Sequence, residues 1–236
     1  DTGYKPSINI DSGIEELFTN FNIDDRKDFI SKIGIGTLQW GLKYGIANKE
    51  GKLSNNEIKR IKEIAIKNNI NFIDTAHAYG DCEKRIGDLN FKNFNLITKL
   101  PATKPHSNTS KWVNNSLKNS LKKLKTSSLY CLHVHNTKYL FGRSGPQIYR
   151  SLINAKRKGL IKKIGVSIYT VQELNKILKN YKIDLVLLPF NIFDQRTIKT
   201  KTLKKLKKLN IEVHARSVFL QGLLTMSKKE IPNQFS

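Results

Sequence analysis

The chain has 236 residues, of which 39% are hydrophobic, and a formal charge of +23. That length suits one α/β barrel or one to two smaller domains, and the apolar content supports a large core and excludes a disordered chain. No run approaches the roughly 20 apolar residues of a membrane span, and the opening Asp1-Thr2-Gly3 carries neither a basic start nor an apolar leader.

Residues 1–31 stand apart from the rest. They hold Gly3-Tyr4-Lys5-Pro6, a short amphipathic helix over Ile14 to Phe21, and a polar stretch, Asn22 to Ser31, that reads as a linker. Beyond them, apolar runs alternate with amphipathic segments. Ile33 to Thr37 reads as a strand. Ser54, with Glu57 three residues on, spells a capping box and opens a helix whose buried stripe includes Ile58, Ile61 and Ala65. Phe72-Ile73-Asp74 is a second strand and Asn95 to Lys99 a third. Thr109 or Ser110 is expected to cap a helix carrying Trp112, Val113, Leu117, Leu121 and Leu124 at helical spacing. Leu129 to His135 is a fourth strand. Pro146 suits a helix first turn, and that helix is expected to end near Gly159. Lys163 to Val166 is a fifth strand, Val171 to Lys179 its helix, and Leu185 to Pro189 a sixth strand. Leu203 to Leu209 is helical, and Ile211 to Ala215 is a seventh strand.

Seven strands alternating with six or seven helices call for a parallel sheet with helical crossovers. The regular spacing favours a (β/α)8 TIM barrel over an open doubly wound sheet. No G-x-G-x-x-G follows a strand, which also weighs against the latter. The domain reading is therefore 1–31 as a separate segment and 32–236 as an incomplete barrel, with about seven of eight strands present and the last strand and its helices expected beyond Ser236. The missing initiator Met also predicts a fragment.

The charge reads as lysines on the solvated faces of separate helices, such as Lys59, Lys62, Lys118, Lys122, Lys204 and Lys208. There is no module of basic and aromatic residues, so neither a nucleic-acid nor a membrane partner is expected. The two cysteines, Cys82 and Cys131, make no disulfide framework, and a reducing cytoplasm is expected.

In a barrel, polar side chains at the carboxyl ends of strands face the active site. Here those ends carry Asp74, Lys99 and His135, with Tyr79 in the loop after Asp74. Hydride addition to a carbonyl places negative charge on oxygen and calls for a proton. A phenol is a slow acid unless its anion is stabilised, which a neighbouring ammonium does. A carboxylate holds the ammonium and offsets its buried charge, and an imidazole orients the carbonyl. The roles are Tyr79 as proton donor, Lys99 as its tuner, Asp74 as anchor and His135 as orienting donor. Each residue alone has a plainer reading: Asp74 as a turn cap, Tyr79 as packing, Lys99 as a solvated charge. His133 and His135 share a strand face, and one of them is expected to be a buried, hydrogen-bonded barrel histidine. His77 is expected at the surface. No metal site is expected.

Phe72-Ile73-Asp74-Thr75-Ala76-His77-Ala78-Tyr79-Gly80, followed by Glu83 and Gly87, resembles the signature of the aldo-keto reductase family. So do Gly34-Ile35-Gly36-Thr37, Ile97-Thr98-Lys99-Leu100, Gly165-Val166-Ser167 and Pro189-Phe190-Asn191. Arg216 to Leu224 resembles the seventh-strand loop of the branch found among bacterial surface-sugar genes. The resemblance covers residues 32 to 236. It implies reduction of aldehydes or ketones, perhaps sugars or sugar nucleotides, with NADP (or NAD) as cofactor, and the four catalytic roles above. It also implies cofactor contacts from Gly36, Thr37, Asp74, Ser167, Asn191, Ser217, Phe219 and Gly222. The family's histidine lies eleven residues past the leucine that closes the preceding helix, and counting from Leu124 gives His135. Three positions differ from the family's habit: Leu187 replaces a strand-six Gln, Ile168 an Asn, and Arg216 a Tyr that stacks on the nicotinamide. Residues 1–22 resemble the tail of nucleotide-sugar epimerases, which implies an epimerase domain in the same chain and a bifunctional protein. The alternative reading is a non-catalytic barrel that binds a nucleotide or a partner.

Overall fold

A computed structural model describes residues 32–103 and 108–235. The expected helix over Ile14 to Phe21, the linker and the epimerase-like stretch lie outside the described residues. Seven strands follow in chain order: β1 (Gly34–Gly36), β2 (Phe72–Asp74), β3 (Asn95–Lys99), β4 (Leu129–Val134), β5 (Ile161–Ser167), β6 (Leu185–Pro189) and β7 (Glu212–Arg216). The helices among them are α1 (Leu38–Gly41), α2 (Asn55–Lys67), α3 (Cys82–Asp88), α4 (Thr109–Leu124), α5 (Gly145–Arg157), α6 (Val171–Asn180), α7 (Arg196–Lys199) and α8 (Thr202–Lys208).

Local chemistry sets the helix starts. The Ser54 hydroxyl accepts the Glu57 amide at 3.2 Å and the Glu57 carboxylate accepts the Ser54 amide at 2.7 Å, so the expected capping box opens α2. A second box, Thr170 with Glu173, opens α6. Helix α4 corrects the expectation of a Thr109 or Ser110 cap. Asn108 is the cap, its side-chain oxygen accepting the Lys111 amide at 2.9 Å, and Thr109 is the buried first helical residue. An Asn at this position satisfies a free amide at least as well as Thr. Helix α5 ends at Arg157 with Lys158 as its C-cap, near Gly159 as expected, and Gly159 adopts a positive φ of 72° and turns the chain into β5. Strand β4 stops at Val134, so His135 lies just past its end.

All neighbouring strands pair in parallel and in sequence order, β1 to β7, which is the topology of a (β/α)8 barrel. The sheet curls into an incomplete barrel: among the described residues, β1 and β7 do not pair with each other. Both faces are covered, which explains the near-continuous apolar strands. Outward residues such as Ile73, Leu96, Leu132, Ile164, Val186 and Leu188 pack beneath the helices in one large core. Inward residues Ile97, Cys131 and Leu185, with Phe72 and Tyr130, form a smaller inner core. Both cysteines are buried and unpaired.

The amino-end side of the interior holds a polar knot. Glu212 on β7 accepts hydrogen bonds from Tyr130 (2.7 Å) and Lys163, and pairs with His214 at 2.6 Å. The Phe72 ring meets the rings of Tyr130 and His214 edge-on, at 5.1 and 5.4 Å. At the opposite, carboxyl-end rim, the segment after β7 reaches back to the β1 loop. There the Ala47 amide donates to the Gln221 carbonyl at 3.3 Å, and Lys49 pairs with Glu230 at 3.2 Å. No helix among the described residues is long and apolar enough to cross a membrane.

Candidate active site

Asp74 closes β2 and points inward, because Ile73 takes the outward position of the pleat. Its backbone is held from both sides. The Thr37 amide and hydroxyl both donate to the Asp74 carbonyl, at 3.0 and 2.9 Å, and the Thr75 amide donates to Ile97. Lys99 closes β3 on the same inner face. Its ammonium donates to Asp74 Oδ1 at 2.5 Å and to the Thr75 carbonyl at 2.8 Å. The Lys99 side chain is 2% exposed and that of Asp74 25%. Burial alone would pull the Lys99 pKa down. The Asp74 carboxylate, then the Tyr79 phenol, reverse that and hold it above the ordinary lysine value.

Tyr79 sits in the turn after β2, where its amide donates to the Ala76 carbonyl at 3.0 Å and Gly80 takes a φ of +60°. The Lys99 ammonium lies 5.2 Å from the centre of its ring. Burial raises the phenol's pKa above its usual value. Lys99 opposes this without cancelling it, so the phenol is protonated and able to donate.

His135 is half-buried, and its Nδ1 has no hydrogen-bond partner. Burial first, and then the Lys99 charge, bring its pKa to about 4, so it is neutral at physiological pH. His133 faces Lys99 across the β3–β4 register and is fully buried. It is the barrel histidine expected from sequence but lacks the expected hydrogen bond, since neither ring nitrogen has a partner. Burial and the nearby Lys99 charge push its pKa well below the ordinary value. His77 is half-exposed.

The residues singled out for cofactor contact fall along the same rim but differ in what they do. Gly36 ends β1 beside open space, where an added Cβ would meet nothing within 4 Å. Thr37 is fully buried and engaged with Asp74 and with the Cys82 thiol at 3.1 Å. Ser167 ends β5, buried, beside Leu187 on β6. Asn191 gives its hydrogen bonds to the protein: its oxygen accepts the Phe193 and Asp194 amides, both at 2.9 Å, and its amide donates to the Ser217 carbonyl at 3.2 Å. It shapes the rim. Ser217 has a positive φ of 58°, and Phe219 is exposed. Gly222, with φ +90°, packs against Ala47, where a Cβ would come within 2.5 Å. Arg216 ends β7. Its Nη2 donates to the Ile168 carbonyl at 3.2 Å and its guanidinium lies 4.4 Å over the Tyr169 ring.

Several positioning residues had no role assigned from the sequence. Gly41, at the end of α1, lies directly beneath the Tyr79 turn, and a Cβ there would overlap the Tyr79 carbonyl. The buried Glu83 carboxylate accepts from Thr98, next to Lys99, at 2.8 Å. Arg85 clamps the carbonyls of Trp40 and Leu53 and the side chain of Asn55. Glu83 lies inside the motif quoted above. Gly41 and Arg85 carry no local signal, because their partners are distant in sequence.

The open space beside Gly36, the unpartnered Asp74 Oδ2 and His135 Nδ1, and the Ser167 hydroxyl suit the nicotinamide end of a dinucleotide and a carbonyl lying against it. Among the described residues no cluster of His, Cys, Asp and Glu could hold a metal ion.

A parallel barrel with an ion pair, a phenol and a neutral imidazole at its carboxyl rim is the frame of a barrel oxidoreductase. The chain belongs to the Aldo/keto reductase family, whose sequence profile matches residues 32–236. Solved structures with the same fold include a putative aldo-keto reductase from Pseudomonas aeruginosa (23% identity, TM-score 0.66, 79% of this chain and 73% of that one). Another is the holo form of an aldo-keto reductase from Bacillus halodurans (19% identity, TM-score 0.68, 86% and 66%). A third is a glycerol dehydrogenase from Gluconobacter oxydans (20% identity, TM-score 0.64, 84% and 63%). At such identities the likeness is one of fold. The chain spans just under two thirds of the last two proteins. No curated protein sequence matches it.

Proposed function

We propose that the chain reduces an aldehyde or ketone, with NADPH or NADH supplying the hydride. The reading is supported by one observation: Asp74, Tyr79, Lys99 and His135, spread over sixty-odd positions, meet at one rim. Gly36, Thr37, Ser167, Ser217, Phe219 and Gly222 line the side on which the cofactor would lie.

The bound cofactor contributes a hydride to the carbonyl carbon, and the protein handles the charge that this leaves on oxygen. His135, neutral, donates a ring N–H to the carbonyl oxygen and fixes its direction. Tyr79 donates its phenolic proton to that oxygen as the C–H bond forms, giving the alcohol. The phenolate left behind is stabilised by the Lys99 ammonium, whose own charge is held in place by Asp74. Water then returns a proton to Tyr79. The low-dielectric setting of Lys99 strengthens each of these interactions.

The substrate class we favour beyond the carbonyl is a sugar or sugar nucleotide, carried by the likeness of Arg216 to Leu224 to the surface-sugar branch. An epimerase-tail-like segment at residues 1–22, followed by a linker to residue 31, in a cytoplasmic bifunctional protein, belongs to the same proposal. The test is oxidation of NADPH and NADH with a panel of aldehydes and sugars, for the wild type and Tyr79→Phe. Turnover that falls by about 10²–10⁴ in the variant, the usual share of general acid catalysis, is expected. Cofactor binding without turnover in the wild type would replace this reading with a non-catalytic barrel.

A further inference from the structure

The charges at the rim do not cancel. Asp74 and Lys99 neutralise each other at 2.5 Å. Tyr79 keeps its proton, and His135, with a pKa of about 4, is neutral near pH 7. Arg216 remains, and a guanidinium is charged at any working pH. It ends β7 in register with Pro189, on the face that also carries His214, whose ring meets Phe72 inside the barrel. Its charge reaches both Tyr79 and His135.

The contacts of Arg216 fix its plane without neutralising it. Nη2 donates to the Ile168 carbonyl at 3.2 Å, Nη1 meets the Ser217 hydroxyl at 3.4 Å, and the Tyr169 ring lies 4.4 Å away. None of these is an acid, and among the described residues Arg216 forms no ion pair. Asp194, an acid that feels its charge, is held by Arg196 in a two-pronged pair with both bonds at 2.7 Å. A half-buried guanidinium with N–H groups to spare and a fixed plane matches a flat or tetrahedral oxyanion.

We infer that Arg216 selects carbonyl substrates that carry an anionic oxygen group, a carboxylate or a phosphate, beside the carbonyl. The inference rests on the carbonyl-reduction reading and narrows its substrate.

Matched substrate pairs test it: para-carboxybenzaldehyde against its methyl ester, and glyceraldehyde phosphate against glyceraldehyde. The full chain and its Arg216→Gln and Arg216→Lys variants would be compared with NADPH. The ratio of kcat/KM for the charged over the neutral member is expected to fall by about 10- to 100-fold in Arg216→Gln, the range that a charge-assisted pair supplies. Arg216→Lys should recover part of it. A fall in one pair only names the carboxylate or the phosphate as the recognised group. Equal losses for both members, or a loss confined to the KM for NADPH, overturn the inference while leaving the reductase reading intact. If no protein turns over any substrate, calorimetric binding of para-carboxybenzoate analogues to the wild type and Arg216→Gln decides the matter separately. Weaker binding in the variant supports the anion site, and equal binding removes it.

Discussion

Replacing Asp74 by Asn leaves the shape of the rim intact and removes the countercharge of a buried ammonium. Lys99 is 2% exposed and has two acceptors, the Asp74 carboxylate at 2.5 Å and the Thr75 carbonyl at 2.8 Å. Breaking a buried pair costs about 3–5 kcal/mol. The low end applies, because the Asp74 side chain is 25% exposed and water takes up part of the deficit. For a chain of this size about 3 kcal/mol lowers Tm by roughly 6–12 °C. The pH dependence adds a second signature. In the wild type the Lys99 pKa lies above its ordinary value, so its stabilising contribution is complete below the unfolded value of 10.5 and is lost as pH rises through the folded one. In the variant, burial dominates and the folded pKa drops below 10.5, so stability should rise with pH over the interval beneath 10.5. Urea unfolding followed by circular dichroism across the alkaline range measures both quantities. Lys99→Met, which removes the buried charge altogether, should cost less than Asp74→Asn. A variant within about 1 kcal/mol of the wild type, or one with the same alkaline slope, would refute the argument that this pair carries a buried charge.

Three further outcomes follow from the geometry. The ring protons of His135 should titrate by NMR with a midpoint of about 4. Because its folded pKa lies below the ordinary histidine value of 6.5, its contribution to stability should decline as pH falls from about 6.5 towards 4. Gly41→Ala should push the Tyr79 turn away from Lys99, since the new methyl would overlap the Tyr79 carbonyl. Its mark would be a drop in kcat larger than the loss of Tm explains. Gly165→Ala would bring a methyl within 2.5 Å of the His133 ring and 2.7 Å of Cys131 Sγ, costing about 1–3 kcal/mol by overpacking, to be read from thermal unfolding.

The barrel was legible because its signals are local and repeated. Each strand is a short apolar run, and the Ser54–Glu57 box announces its helix within four residues. The errors fell at boundaries, where side-chain competition decides. Asn108 outcompetes Thr109 for the cap, and β4 stops one residue short of His135. Asp74, Lys99 and His135 could be named from strand ends and Tyr79 from the loop after β2, since a parallel barrel puts all carboxyl ends on one side. What could not be read was anything that depends on contact across the fold. The commitment of Asn191 to its own loop, the closeness of Gly41 to Tyr79 and the Arg85 clamp all join residues that no spacing relates.

The knot at the amino-end side of the interior shows how seven strands keep their curl. Tyr130 and Lys163 bond to Glu212, and Phe72 lies against Tyr130 and His214, so β2, β4, β5 and β7 are laced together through the hollow. Such lacing works like the spokes of a wheel: it sets the radius from within. Side chains in the lumen therefore hold β7 to β2, and a substitution such as Glu212→Leu would loosen the arc, including the far rim where β2 ends in Asp74 and β7 in Arg216.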